Sequence, residues 1–309
     1  MSSPGIAAAG VRRSFGNVHA VRDVTLDARA GAVTGLVGPN GSGKTTLLLM
    51  LASLLAPDAG QLRIGGIDPV ADPAAVRAIV GWMPDALGAW PSLTARETLV
   101  MTGRLYGLDR DQAGQGAHRL LDEVGLRELA DTPARVFSRG QKQRLGLARA
   151  LVHDPRVLLL DEPASGLDPQ ARVELRTLLR RLAAEGRTIL ISSHILSELE
   201  EVVDDAVFLV EGATVDADRV AAAATRGRSW RIRLADRDAR AAVVPVAQAL
   251  GLDAALIPID RRDLLVSFGS DADAATALAA LVAAGLPVAE FAAATGILEH
   301  TFLDLGGRS

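Results

Sequence analysis

The sequence predicts an α/β fold built on a mostly parallel sheet, with a helical insertion and a smaller α+β unit towards the C-terminal end. Three observations carry this. Short apolar runs at 32–37, 157–160, 188–192 and 206–210 read as strands covered on both faces, with helical segments between them. From about 92 to 150 there are helix signals and no convincing strand. After about Thr225 strand-like and alanine-rich helical segments alternate in a new order.

Taken in order, the run 32–37 ends in glycine-rich sequence and leads into an apolar helix at 45–55, stopped by Pro57. In the helical insertion, placed at about 90–152, Thr94-Ala-Arg-Glu97 reads as a capping box, and Ser138-Arg-Gly-Gln141 is a second. The helix Pro169–Ala184 has proline near its start and Gly186 just after its end, the usual asymmetry of helix boundaries. These elements make a first domain, expected over 1–222.

The second domain is expected over 226–309. It offers a strand at 230–234, a helix to Leu250, strands at 256–259 and 264–268 joined through Asp260-Arg-Arg-Asp263, a helix at 274–284 and a strand at 288–291. That β-α-β-β-α-β order suits a small ferredoxin-like sandwich or a looser α+β appendage. It shows no metal cluster and no nucleophile; regulation, dimerisation and effector binding all stay open.

The 309 residues suffice for one large core, or one large and one small. A hydrophobic fraction of 49% and a charged fraction of 23% exclude wholesale disorder and a fibrous repeat. The formal net charge of −4 provides no bulk basic field, so no nucleic-acid partner is expected. Absence of cysteine removes disulfides, thiolate metal sites and thiol nucleophiles, and fits a reducing cytosol.

No run is long and apolar enough to span a membrane: 274–289 is mostly alanine and broken by Gly285 and Pro287, and 45–55 is bounded by Lys44 and Pro57. Arg12-Arg13-Ser14-Phe15 looks like a twin-arginine export signal, but Asn17, His19, Arg22 and Asp23 follow where an apolar stretch is required.

Gly38-Pro-Asn-Gly-Ser-Gly43-Lys44-Thr45 fits G-x-x-x-x-G-K-[ST] between a strand and a helix. Such glycines let backbone N–H groups wrap phosphate oxygens, and the helix N-terminus adds its dipole. Lys44 suits the β- and γ-phosphates, and the Thr45 hydroxyl suits Mg²⁺. The competing reading, a glycine-rich turn capping a core helix, is disfavoured by the strand–loop–helix context. Val157-Leu-Leu-Leu-Asp161-Glu162 delivers Asp161 at the end of an apolar strand, where a carboxylate meets Mg²⁺. Glu162, one residue on, is placed to polarise an attacking water as general base.

With these motifs, residues of about 5–220 resemble an ATP-binding cassette (ABC) ATPase, the motor subunit of an ABC transporter. Phe15 resembles the family's adenine-stacking aromatic. Ser138-Arg139-Gly140-Gln141, followed by Lys142-Gln-Arg-Leu-Gly-Leu-Ala-Arg-Ala-Leu151, resembles its signature. Ser165-Gly166-Leu167-Asp168 resembles the D-loop, and His194 the switch histidine that contacts the γ-phosphate.

The resemblance implies catalysis by Lys44, Glu162 and His194, and Mg²⁺ held by Thr45 and Asp161. It implies an ATP site formed by Phe15, Gly38, Asn40, Gly41, Ser42, Gly43, Lys44, Thr45, Thr46 and Asp85. Ser138, Gly140, Gln141 and Asp168 complete the set, the signature meeting ATP on the opposing cassette of a homodimer or heterodimer. It also implies a transmembrane permease partner and a place in the cytoplasm, peripheral on the inner face of the cell membrane. A docking groove is expected around Trp82, Trp90, Pro91 and Leu93, with Trp82 equally a core residue.

Three departures from the family pattern stand out. Phe15 replaces tyrosine, Arg139 replaces the signature's first glycine, and Asp85 stands at the Q-loop glutamine. Acidic Q-loops, the Ser-Arg-Gly signature and the ending Gly296-Ile-Leu-Glu-His-Thr-Phe-Leu303 resemble the export-type branch serving drugs, antibiotics, polysaccharides and lipids. The alternative reading is a soluble ABC-type ATPase acting mechanically on a non-membrane partner. Arg172, Arg176 and Arg180 share a helix face and are read as a solvated face rather than a nucleic-acid patch. His19, His118, His153 and His300 carry no motif.

Overall fold

The computed structural model describes residues 4–85, 90–224, 228–294 and 296–305. The chain divides into two compact units, Met1–Val215 (with Ser309) and Asp216–Arg308.

The first unit opens with β1 (Pro4–Phe15), β2 (Val18–Arg29), β3 (Val33–Val37), α1 (Lys44–Leu51), β4 (Ala59–Ile64), α2 (Pro73–Ile79) and β5 (Val80–Met83). The helical insertion follows: α3 (Ala95–Leu105), α4 (Arg110–Glu123) and α5 (Arg139–Leu151), with short 3-10 turns between the last two. Strand pairing there is confined to the bridge Thr94↔Pro133 among the described residues. Then come β6 (Val157–Asp161), α6 (Pro169–Ala184), β7 (Thr188–Ser193), α7 (Leu196–Glu200), β8 (Asp205–Val210) and β9 (Ala213–Thr214).

Nine strands form one sheet in the order β4-β1-β2-β9-β8-β3-β7-β6-β5. The half β8-β3-β7-β6-β5 is parallel, and β4-β1-β2 is antiparallel. Every residue of β3, β6 and β7 is buried, as apolar strands covered on both faces should be. Along β2, Val21, Val24, Leu26 and Ala28 are buried between exposed charged residues, the pattern of an antiparallel strand with one wet face. They pack with Ile6, Leu36, Leu47, Met50 and Leu190 into one core. The antiparallel strands β1 and β2 are not among the strands expected from sequence: Gly10, Arg12 and Arg13 interrupt the apolar run of β1, and Arg22, Asp23, Asp27 and Arg29 that of β2.

Helix α1 ends at Leu51, short of the expected 55. Ala52 closes its last turn, and Ser53 adopts a left-handed backbone with φ 57°. Both expected capping boxes are formed: Glu97 N–H to Thr94 Oγ1 at 3.1 Å with Thr94 N–H to Glu97 Oε2 at 2.8 Å, and the matching pair at Ser138 and Gln141.

The second unit contains α8 (Ala217–Ala224), β10 (Arg228–Leu234), α9 (Ala239–Leu250), β11 (Ile259–Asp260), β12 (Asp263–Phe268), α10 (Asp271–Ala283), β13 (Val288–Ala293) and α11 (Ile297–Asp304). Its sheet has the order β11-β12-β10-β13 with every neighbouring pair antiparallel, the arrangement of a split β-α-β sandwich. Ile232, Leu264, Val266, Val246 and Leu281 form its core. The division falls earlier than the expected 222–226, because α8 packs against α11 and so joins the second unit. Residues 225–227 of the expected boundary lie outside the described residues.

Candidate active site

The C-terminal ends of β3, β6 and β7 converge where ligands gather in an open parallel sheet. From β3 the chain passes through loop 38–43 into α1. Gly43 caps α1 with φ 99°, and a Cβ there would lie 2.3 Å from the Ala20 carbonyl oxygen, so only glycine fits. Ser42 is 3% exposed, and its hydroxyl has no hydrogen-bond partner. A buried polar group left so costs about 1–3 kcal/mol. An oxyanion in the loop would relieve that cost, so the cradle fits a phosphate.

Lys44, 7% exposed, donates from Nζ to the carbonyl oxygens of Gly38 at 2.7 Å and Pro39 at 3.0 Å. Burial lowers the pKa of its ammonium, while the charges of Glu162 and Asp161 act in the opposite direction.

Asp161 ends β6, buried, with both oxygens engaged: Thr45 Oγ1 donates to Oδ2 at 2.9 Å and Ser192 Oγ donates to Oδ1 at 2.5 Å. Among the described residues no cluster of three or more His, Cys, Asp or Glu side chains forms a metal cage. The hydroxyl–carboxylate pair of Thr45 and Asp161 instead has the sparse oxygen chemistry that Mg²⁺ takes together with phosphate and water.

Glu162 turns out of the strand with φ 53°, a left-handed conformation unusual outside glycine. Its N–H is shared between the carbonyl and hydroxyl oxygens of Ser192, both at 3.2 Å. The carboxylate meets His194, whose Nδ1 lies 2.7 Å from Oε2. A carboxylate only accepts, so Nδ1 carries the proton of this bond. Gln143, on α5, donates from Nε2 to the Glu162 carbonyl at 3.4 Å.

Lys44, Thr45, Asp161, Glu162 and His194, spread along the chain, thus form one cluster. Gly38, Asn40, Gly41 and Thr46 belong to the loop and first turn that hold it. Phe15 lies at the end of β1, 48% exposed, with the Arg13 guanidinium 4.9 Å from its ring centre.

Ser138 and Gln141 bond to each other at the N-terminus of α5, with Gly140 between them. Ser138 Oγ accepts there, which leaves its O–H free to donate outward. Asp168 caps α6, and the Ala171 N–H bond at 2.9 Å holds its carboxyl below the usual range. Asp85 stands 3.9 Å from Arg139.

Sequence reasoning missed Ser192 and Gln143 as site residues, and named Ser165 only as part of the D-loop resemblance. Ser192 had a signal, a polar residue closing an apolar strand at the ligand-binding edge. The Gln143 bond to Glu162 had none, since it is fixed by packing across the chain. Trp82, left open between interface and core, packs against the core of the first unit. Arg176 and Arg180 are ion-paired with Glu201 and Asp204.

Residues 21–165 match the ABC transporter family. The chain is 41% identical over 206 residues to the Nod factor export ATP-binding protein I of Paraburkholderia xenovorans, covering 66% of this chain and 67% of that one. It is 33% identical over 315 residues to the daunorubicin resistance ATP-binding protein DrrA3 of Streptomyces coeruleorubidus, covering 99% and 97%. A solved ATP-binding subunit of an ABC transporter superposes with TM-score 0.64 at 28% identity, covering 70% of this chain and 91% of that chain. This chain belongs to the ABC transporter family, as one of its ATP-hydrolysing, ATP-binding subunits.

Proposed function

We propose that this chain is the motor of an exporter: it binds ATP with Mg²⁺, pairs head to tail with a second cassette, and drives a separate transmembrane permease. The observation that carries this reading is the Lys44–Thr45–Asp161–Glu162–His194 cluster. Lys44 exchanges its two loop carbonyls for phosphate oxygens. Thr45 and Asp161 hold Mg²⁺, which when bound neutralises charge on the phosphates. Glu162 accepts the proton of the attacking water, and His194, anchored on it through Nδ1, holds that water and the γ-phosphate in line. Phe15 offers a stacking face to adenine. Ser138, Gly140 and Gln141 present helix N-terminal donors to ATP on the partner cassette, and Asp168 stands at the same interface.

The permease reading is supported by an exposed face on the helical insertion. A cavity of about 310 Å³ is lined by Leu93, Arg96, Glu97, Val100 and Met101, with Trp90 and Leu105 exposed. Apolar side chains mixed with an arginine suit a protein interface. No helix among the described residues is long and apolar enough to cross a membrane. The cassette then works at the inner membrane face, where its partner holds it. The named roles of the relatives, together with Asp85 and the Ser-Arg-Gly signature, favour export of a drug, antibiotic, lipid or polysaccharide.

The deciding experiment is cross-linking in the native cell, extraction of membranes in mild detergent, and identification of what co-purifies. A polytopic membrane protein at near-equal stoichiometry supports the reading. A soluble partner without one overturns it in favour of a mechanical ATPase. In the purified chain, Lys44→Ala should abolish ATP binding or turnover.

A further inference from the structure

Asp85 and Arg139, two of the residues that set this sequence apart from its family, meet in the structure. An Arg139 Nη2 atom lies 3.9 Å from Asp85 Oδ1 and donates to Ser165 Oγ at 2.5 Å. The arginine stem crosses Gly166, where φ is 76° and a Cβ would stand 2.6 Å from Arg139 Cδ. A Cβ on Gly140 would in turn lie 3.1 Å from the Gly166 carbonyl oxygen. The first turn of α5 and the turn 162–168 are therefore in close contact.

That second turn is tied internally. Ser165 N–H donates to the Glu162 carbonyl at 3.1 Å, the same oxygen that Gln143 reaches, and Leu167 N–H donates to the Ala164 carbonyl at 3.1 Å. Ser165 is thus one hydrogen bond from the backbone of Glu162, whose carboxylate holds His194.

A guanidinium suits this place because Nη2 alone carries two N–H donors, one for the Ser165 hydroxyl and one turned towards the Asp85 carboxylate. The Arg139 and Asp85 side chains are 67% and 53% exposed, so the ion pair adds little to folding stability and acts through position. We propose that Arg139 is a positioning residue: held by Asp85 on one side and Ser165 on the other, it ties Asp85, just after β5, to the turn that carries Glu162. Asp85 then works through Arg139 and not on the nucleotide. This rests on Glu162 being the base, and it gives a permease that moves residue 85 a direct route to the catalytic turn.

The test is ATP turnover by the purified full chain, with kcat, KM for MgATP and melting temperature. The variants are Asp85→Asn, Arg139→Met, Ser165→Ala and the two doubles containing Arg139→Met. Arg139→Met keeps the stem over Gly166 and removes only the guanidinium. Each single change should lower kcat about three- to fivefold with KM within about twofold and melting unchanged, and neither double should lose more than Arg139→Met alone. Ser165→Thr, which keeps the hydroxyl, should retain wild-type kcat.

Losses that multiply in the doubles, an unchanged kcat in the singles, or a KM that rises in Asp85→Asn whatever stands at 139 would each overturn the linkage. Those outcomes leave the role of Glu162 untouched. If Glu162→Gln turned over ATP at the wild-type rate, that role would fall, and the linkage with it.

Discussion

Strands β3, β6 and β7 are buried along their whole length, whereas β10 buries only Ile232 and Leu234 and β12 only Leu264 and Val266. The polar groups follow suit. In the nucleotide unit they stand at strand ends: Asp161 closes β6, and Ser192 lies next to last on β7. In the second unit they lie across the sheet and pair with one another, Arg233 with Glu290 and Asp263, and Arg231 again with Glu290. Cross-strand pairs of this kind stabilise a sheet, although Arg231 Nε and Asp263 Oδ1 stay buried without a hydrogen bond. The first arrangement keeps capacity in reserve, in an unpartnered Ser42 hydroxyl and a lysine bonded only to carbonyls. What separates the two is where the spare capacity lies: in the first unit Ser42 and Lys44 stand in the loop and first helical turn at the C-terminal ends of the parallel strands, where a ligand can reach them.

The sharpest way to break this comparison is at Glu162. Glu162→Gln keeps the side-chain shape and removes the base. ATP turnover should fall about 10²- to 10⁴-fold while ATP still binds and the dimer is trapped, which size-exclusion chromatography with ATP would show. Wild-type turnover would remove Glu162 from the mechanism.

Matched core deletions come next. Leu159 on β6 and Leu264 on β12 are both fully buried. Leu→Ala at either should cost about 2–5 kcal/mol of stability. Leu159→Ala should also impair ATP turnover, because it loosens the strand that ends in Asp161; Leu264→Ala should leave turnover unchanged. Urea unfolding followed alongside ATPase assays compares them. Equal losses of turnover would mean that the second unit supports catalysis directly.

How far the sequence could be read follows the same division. The loop 38–45, the strand before Asp161 and the boxes at Thr94 and Ser138 were legible, because each is a contiguous pattern with one physical purpose. The Asp85–Arg139 contact and the Gln143 bond to Glu162 were not, since each joins residues far apart through packing. β1 and β2 were missed because charged residues break their apolar runs, Arg12 and Arg13 in one and Arg22, Asp23, Asp27 and Arg29 in the other, and the boundary expected after 222 cuts α8 because nothing local shows that it packs on α11.

A smaller effect is expected at Asp168, which caps α6 through the Ala171 N–H. Asp168→Ala should cost about 1 kcal/mol. Asp168→Asn, which keeps an acceptor, should recover most of it in thermal melting.

The smallest effect concerns His153, stacked on Tyr106 at 3.7 Å with Nε2 3.1 Å from the Val80 carbonyl oxygen. Burial pushes its imidazole below the ordinary value of 6.5, against the Val80 bond and Asp154. The unfolded chain therefore binds the proton more readily. The stabilising contribution is complete above the unfolded value and is lost as pH falls through it towards the folded one. His153→Phe keeps the stack and should flatten the fall in melting temperature between about pH 7 and about pH 5. An unchanged slope would assign that fall to the carboxylates.

Lys44, finally, gives the loop a threshold for entry. Its ammonium already holds two carbonyl oxygens, so a newcomer gains from it only what exceeds those bonds. A multiply charged phosphate clears that threshold, since it adds the attraction of a full negative charge for the ammonium where a carbonyl offers only a dipole. A nucleoside without phosphates could still lie against Phe15, yet it would have nothing to trade for the carbonyls. Discrimination in favour of the polyphosphate is thus set in the lysine's resting grip, before any base is read.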